Sequence, residues 1–404
     1  MDLKSGYPFW AVKNGLMQAF PALADDLRCD VLVIGGGITG ALIANTLERD
    51  GHKVAVVEQR DIGWGSTSAS TALLQYEIDT HMTELAQRFG LDDAVLAYRA
   101  CADAIGQLQQ LCRPFTDVDF RPMRSLYYAS KRKDVPKLRA EFALRRAHGF
   151  AVRWLEPEQI ARDYGFQAPG AILSALAARV DPYRLAYRLL ARLRRRGAQV
   201  YDRTCVSQIN RGPRGVELAT AGGAVIRARH VVVAAGYASQ QWISQSVARN
   251  RSSYAMISDP IDAKVLGPLR NTMVWESARP YLYMRSTGDG RLLVGGEDDA
   301  VDVPRKRDAR VDRKARILQR KVNALFPQLE MAPAFSWAGT FAETADGLPF
   351  FGPHPETGPR VHYAMAYGGN GITYSMLGAG LISAALAGKP HPLARLFGFG
   401  RLQR

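Results

Sequence analysis

The chain has 404 residues, with 53 Lys and Arg against 38 Asp and Glu, a formal charge of +15. Hydrophobic residues make up 47% and charged residues 23%, enough for two or three lobes with sizeable cores. These values exclude a disordered chain, a fibrous repeat and a small disulfide-stapled scaffold.

Cys29, Cys101, Cys112 and Cys205 form no CxxC pair, and the seven histidines form no HExxH, so no metal site is expected. Met1 to Ala22 holds no secretory pattern, and no apolar stretch approaches the ~20 residues of a membrane span. A cytoplasmic protein is expected, peripheral to a membrane at most. Residues 1–25 read as an arm whose Tyr7, Phe9 and Trp10 pack onto the surface.

The chemistry-bearing pattern begins at Val31-Leu32-Val33-Ile34, a short β-branched strand. Gly35-Gly36-Gly37-Ile38-Thr39-Gly40 follows, then a helical run from Ala41 to Arg49, a stop at Gly51, and a second strand from Lys53 to Val57 that ends at Glu58. Gly35, Gly37 and Gly40 make GxGxxG: one for the tight turn, one for approach of a pyrophosphate, one for close packing of helix on strand. The helix start offers free N–H groups to phosphates, and Glu58 stands about 20 residues on, where an acid binds ribose hydroxyls. With strand, turn, helix, strand and acid in register, a dinucleotide site is predicted, with Gly35, Gly37, Ile38, Thr39, Gly40, Glu58 and Gln59 as its first residues.

A hydroxyl-rich loop, Gly65-Ser66-Thr67-Ser68-Ala69-Ser70-Thr71, comes soon after. A nicotinamide-only domain has no need of it there. Ala198 to Asn210 reads as one further strand, with Val206 beside an adenine. Arg229 to Gly236 is a buried strand ending in small residues, Ala235 and Gly236, that let a cofactor pass closely. Residues 280–286 and 291–296 alternate as strands about a Gly288-Asp289-Gly290 turn. Near the end, Gly368-Gly369-Asn370-Gly371 leads into a helix from about Ile372 to Ala387, a loop able to aim N–H groups and a positive dipole end at a ring that takes up charge.

Three basic runs account for much of the charge. Residues 131–153 hold eight basic against two acidic side chains, 184–203 hold seven against one, and 305–321 hold nine against two. Each overlaps a helical pattern and reads first as a solvated face. The tail from Leu393 to Arg404 mixes Leu396, Phe397, Phe399 and Leu402 with arginines, a pattern for a packed end or a weak membrane-surface contact.

These motifs, in this order, resemble the D-amino-acid oxidase and glycine oxidase family of FAD-dependent oxidoreductases. The resemblance runs from about Cys29 to Gly388. It is carried by Gly35 to Glu58 with the Gly65 to Thr71 loop, Val231 to Gly236, Arg279 to Arg285 with Asp289 to Gly296, Trp337 to Gly352, and Tyr367 to Thr373. It implies an α/β fold with a Rossmann-like parallel-sheet domain binding FAD and a discontinuous α+β substrate domain built on an antiparallel sheet. The FAD domain would take 26–80, 180–245 and 336–404, and the substrate domain 81–179 and 246–335. Ser66, Thr67, Ser68, Gly339, Gly369, Asn370, Gly371, Ile372 and Thr373 would join the cofactor site. The flavin would be non-covalent, since no cysteine stands near Trp337 to Asp346, where sarcosine-oxidase-like members attach it. The lysine those members use on the strand matching Leu292–Leu293 is also missing.

The substrate side departs from the family. Glycine oxidase carries a carboxylate-binding arginine four residues after the tryptophan of its Trp-Ala-Gly motif, and here that place is Phe341. Phenyl cannot replace a bidentate guanidinium. Arg279 or Arg285 would have to substitute, or Glu343 would face the site and bind a cationic group. Tyr281, Tyr283, Phe341 and Asn370 are the candidates for the catalytic pocket, with Trp337 and Thr340 lining it. The implied reaction oxidises a C–N bond of an amine or amino-acid-like substrate by hydride transfer to flavin N5, with hydrolysis of the imine. Oxygen, or a quinone or electron carrier at a membrane surface, would accept the electrons. Two other outcomes stay open: a tRNA-modifying flavoenzyme, as in one bifunctional relative, and a flavoprotein subunit that does not turn over. No RNA-binding motif accompanies the charge, so nucleic acid is not the expected partner.

Overall fold

The computed structural model describes residues 3–301, 303–365 and 367–403. Among them the strands form two sheets, of eight and ten strands. The eight-stranded sheet has the order Phe350–Pro353, Val361–Met365, Val225–Val233, Leu27–Ile34, Val54–Val57, Gln199–Tyr201. All of these pairs are parallel except the one at Phe350–Pro353. Val206–Arg211 and Val216–Thr220 extend it as an antiparallel flap on Val225–Val233.

The apolar run at 31–34 follows from burial on both faces. Val31 and Val33 meet helices Ile38–Arg49, Pro182–Arg195 and Gly371–Leu386, while Leu32 and Ile34 face the flap and Phe350. The segment 198–210, expected as one strand, is two. It breaks at Asp202, whose fully buried carboxylate accepts the Phe20 N–H at 2.9 Å and pairs with Arg203 at 2.7 Å.

The ten-stranded sheet runs Lys4–Gly6, Phe335–Glu343, Arg249–Ile257, Leu292–Asp299, Leu282–Ser286, Thr272–Glu276, Arg121–Tyr128, Ala171–Arg179, Leu73–Gln75, with Val152–Leu155 also on Ala171–Arg179. One pair, Thr272–Glu276 on Arg121–Tyr128, is parallel; the rest are antiparallel. Period-2 alternation gives this sheet two different faces. Tyr254, Met256, Leu282, Met284, Leu292 and Val294 pack on helix Val311–Leu325. The opposite face carries Ser253, Trp275, Tyr281, Tyr283, Trp337, Gly339 and Phe341 toward a cleft shared with the parallel sheet.

Sheet membership departs from the segments drawn on the sequence at three places. Phe335–Glu343 and Leu73–Gln75, grouped with the FAD-binding segments, are hydrogen-bonded into the large sheet. The arm is an integral part of it: Lys4–Gly6 pairs with Trp337 to Gly339. Phe9 and Trp10 are core residues rather than surface ones, whereas Tyr7 stays 70% exposed.

Part of the charge on the basic helices is neutralised locally. Arg188 pairs with Asp117, Arg196 with Glu48, Arg310 with Asp299, and Lys314 and Lys321 with Glu297. Arg145 is fully buried against Glu141 at 2.7 Å. In the tail, Leu396, Phe397 and Phe399 are buried, so those side chains are not presented to a membrane. No helix of the described residues is long and apolar enough to cross one.

Candidate active site

The cleft, about 570 Å³, opens at the carboxyl ends of Leu27–Ile34, Val54–Val57 and Val225–Val233, where open α/β sheets bind ligands. Its floor is the glycine turn. Gly35 holds φ +118, and a Cβ there would stand 2.4 Å from the Ala234 carbonyl oxygen. Gly37, Ile38 and Thr39 line the cleft from the helix start. Gly40 does not line it; it lies against the Gly35 carbonyl and sets the spacing of turn and helix.

Glu58 lines the cleft, and its carboxylate accepts the N–H of Gly36 at 2.8 Å and of Arg60 at 3.0 Å. Burial raises its pKa while those N–H groups lower it. Gln59, Val206, Ala235 and Gly236 complete this end.

The hydroxyl loop is pinned by two indoles. Trp337 Nε1 donates to Ala69 O at 2.8 Å, and Trp10 Nε1 to Ser70 O at 2.7 Å. Gly65, Ser66 and Thr67 line the cleft, and the Thr67 hydroxyl accepts the Ile38 N–H at 3.0 Å. Ser68 faces away, spending its hydroxyl on the Trp64 and Gly65 carbonyls.

The other end lies under the large sheet. Tyr283 lies across Gly295, where a Cβ would come within 2.5 Å of the ring, and its hydroxyl is 3.2 Å from that of Ser253. The Tyr281 hydroxyl donates to Asp79 at 3.0 Å, and Asp79 accepts the Gly369 N–H at 3.0 Å. Gly339, Thr340, Phe341, Gly369, Gly371 and Ile372 line the same space. Asn370 also lines it, but its amide donates to the Glu77 carbonyl at 2.6 Å, so it positions the segment bearing Asp79. Thr373 is buried away from the cleft, donating to the Gln75 carbonyl at 3.1 Å.

Of the two arginines weighed for a carboxylate, Arg285 is fully buried and committed to the carbonyls of Thr71, Val180 and Ser286. Arg279 is exposed and lies over the Tyr281 ring, 3.3 Å from its centroid. Glu343 is at the rim, paired with Arg251.

Sequence patterning missed Asp79, Ser253, Trp275 and Asp298, all lining the cleft. Asp79 belongs to no motif. Asp298 is brought in by a β-bulge: between the pairs Tyr254↔Gly296 and Ser252↔Asp299, two residues oppose Ser253 alone. Glu297 takes φ +57 there, and the bulge re-aims the following side chain. Its Oδ1 is buried with no hydrogen-bond partner among the described residues. Burial lifts this carboxyl to about 6, opposed by the Ser253 hydroxyl.

A glycine turn under a parallel sheet, a cleft that runs from that turn to the large sheet and an antiparallel roof define an FAD-dependent oxidoreductase of two sheets. The backbone-lined floor fits the cofactor: Cβ atoms at Gly35 and Gly40 would have no room, and Gly37, Gly339 and Gly369 add no side-chain bulk. The chain belongs to the DAO family of FAD dependent oxidoreductases, whose model matches residues 30–385. It is 29% identical to glycine oxidase of Geobacillus kaustophilus over 370 residues, covering 89% of this chain and 93% of that one. It is 26% identical to gamma-glutamylputrescine oxidoreductase of Escherichia coli K12, covering 94% and 88%. The fold matches the crystal structure of the Geobacillus glycine oxidase with a TM-score of 0.77 at 23% identity, over 92% of this chain and 98% of that one. L-proline dehydrogenase of P. horikoshii gives 0.80 at 18% identity, over 95% and 99%.

Proposed function

We propose that this chain oxidises a C–N bond of an amine or amino-acid-like substrate. The observation that carries the proposal is the single cleft that joins the glycine turn to an aromatic chamber under the large sheet. The relatives named for glycine and gamma-glutamylputrescine oxidation support the class of substrate. Gly35, Gly37, Ile38 and Thr39 would hold the FAD pyrophosphate, Glu58 and Gln59 a ribose, Val206 the adenine, and Gly339 with Gly369 to Ile372 the ring end. When bound, FAD supplies the hydride acceptor for the substrate C–H beside nitrogen, and water then hydrolyses the imine to a carbonyl compound and an amine or ammonia.

The protein's own part is orientation and exclusion of water. Tyr281, Tyr283, Trp275 and Phe341 wall the chamber with aromatic surface. Asp79 ties the Tyr281 hydroxyl to the N-terminal turn of helix Gly371–Leu386, so chamber wall and turn are held as one unit. No side chain need remove a proton if the amine binds neutral.

The test is anaerobic bleaching of the oxidised flavin band by a panel of amines, N-methyl amino acids and amino acids of both hands. Rapid bleaching by at least one class is expected. A correctly loaded flavin that none of them reduces would refute the proposal. Readmission of air then tells oxygen from a quinone or carrier as acceptor.

A further inference from the structure

Given the C–N oxidation proposed above, on which this inference rests, we infer that the substrate carries a second cationic nitrogen, held by Asp298, and no carboxylate: a diamine or polyamine.

The charge distribution along the cleft points that way. Among the described residues lining it, the one cationic side chain is Arg60, beside Glu58 at the glycine-turn end. The chamber end is lined by the carboxylates of Asp79, Asp298 and Glu343, and Glu77 is also in the lining. Three of the four already have partners, Glu77 through the Ser174 hydroxyl and Arg145. Asp79 accepts from Tyr281 and Gly369, and Glu343 pairs with Arg251. Asp298 keeps a buried Oδ1 with no donor among the described residues; Glu77 Oε2 shares that condition, but Glu77 has the Arg145 charge beside it, and no ion pair among the described residues reaches Asp298.

A buried carboxylate oxygen without a donor is costly, and proteins retain such groups where a ligand completes them. An ammonium supplies three donors and the opposite charge. The bulge splits its two residues between the faces of the sheet: Glu297 binds Lys314 and Lys321 of helix Val311–Leu325, and Asp298 is left on the cleft face opposite Ser253.

A carboxylate would meet the reverse. It would enter among four acidic groups with Phe341 on the wall and Arg285 consumed by backbone carbonyls. Arg279 alone could answer it, and that side chain is stacked on Tyr281 outside the lining. The aromatic surfaces of Trp275, Tyr281 and Phe341 also suit a cation and an alkyl chain.

The holoenzyme is tested first as wild type, with 1,4-diaminobutane, 1-aminobutane and 4-aminobutanoate compared by anaerobic flavin reduction. The diamine should have the highest kcat/KM, roughly ten- to a hundredfold above the monoamine, as expected for one charge-assisted hydrogen bond. Asp298→Asn should raise KM for the diamine at least tenfold more than for the monoamine. Arg279→Ala should not lower the preference for the diamine.

Binding is read without turnover using 2,5-diamino-2,5-dimethylhexane, an analogue of 1,4-diaminobutane that keeps both ammonium groups but has no hydrogen on the carbons beside nitrogen and so no hydride to give. It should perturb the flavin spectrum of the wild type, and Asp298→Asn should weaken that binding at least tenfold. If 4-aminobutanoate or an α-amino acid is the best substrate, or if Asp298→Asn affects diamine and monoamine equally, the inference is wrong while the amine proposal stands. If no amine of any kind reduces the flavin but 2,5-diamino-2,5-dimethylhexane binds through Asp298, the amine proposal fails and the cation site survives.

Discussion

Gly40→Ala sets two effects of opposite sign against each other. Gly40 lies in the first turn of helix Ile38–Arg49, where alanine is intrinsically favoured by about 1 kcal/mol. Its Cβ, however, would stand 1.9 Å from the Gly35 carbonyl oxygen, a separation at which one of the two must shift. Restoring an ordinary contact of 3.4 Å or more means parting turn and helix by about 1.5 Å. Both partners are backbone, so no rotamer change relieves it, and overpacking of this kind costs about 1–3 kcal/mol or more. The clash should win. The moved turn includes Gly35 and Gly37, so FAD affinity should fall at least tenfold in addition. Gly380→Ala is the control: it sits exposed in helix Gly371–Leu386 with nothing within 4 Å of its Cβ, and should stabilise by about 0.5–1 kcal/mol. Thermal melts of apoprotein and FAD titration by flavin fluorescence give both quantities. A Gly40→Ala protein that melts at or above wild type and binds FAD within twofold would refute the packing role assigned to that glycine.

Asp298 should govern an acid limb in kcat/KM. Burial lifts its carboxyl to about 6; the Ser253 hydroxyl lowers it, Asp79 raises it, Arg279 lowers it and Glu343 raises it, with Tyr281 and Tyr283 on the adjoining strand. Diamine kcat/KM should therefore rise with pH through about 6, and Asp298→Asn should flatten that limb. Because the folded pKa lies above the ordinary 3.8, the folded state holds the extra proton, and stability falls as pH rises between those values. Asp298→Asn should then melt higher than wild type at pH 8, by up to roughly 3 kcal/mol; equal or lower stability there would count against a carboxylate destabilised by burial.

Arg145→Met should cost about 3–5 kcal/mol in urea melts, because it strands the buried carboxylates of Glu141 and Glu77. Burial pushes Glu141 up, but Arg145, His81 and the N–H groups of Thr83 and Met82 bring it down to about 2. That stabilisation is present above the ordinary 4.5 and is lost as pH falls toward 2, so the variant should lose the steep acid unfolding of the wild type.

The cofactor end was legible because its determinants are local. Gly35, Gly37, Gly40 and Glu58 lie within one strand–turn–helix–strand unit, and steric demands on a turn are written in the residues that form it. The alternation at Tyr281 and Tyr283 was legible for the same reason. Ser68 and Thr373 were misplaced by this logic, since their motifs fix the backbone but not which hydroxyl turns toward the nearest carbonyl. The substrate end depends on contacts between distant segments. Asp79 meets a tyrosine 202 positions away and an N–H 290 away. Arg285 carries the same charge as Arg279, yet the carbonyls of Thr71 and Val180 take it out of the site. Asp298 enters through a bulge, which is a mismatch between two strands and so belongs to neither sequence alone. The sequence by itself determined the nucleotide turn and the alternation of the roof; tertiary pairing decided which charges face the chamber, because a charge's environment is set by what packs beside it rather than by its neighbours in the chain.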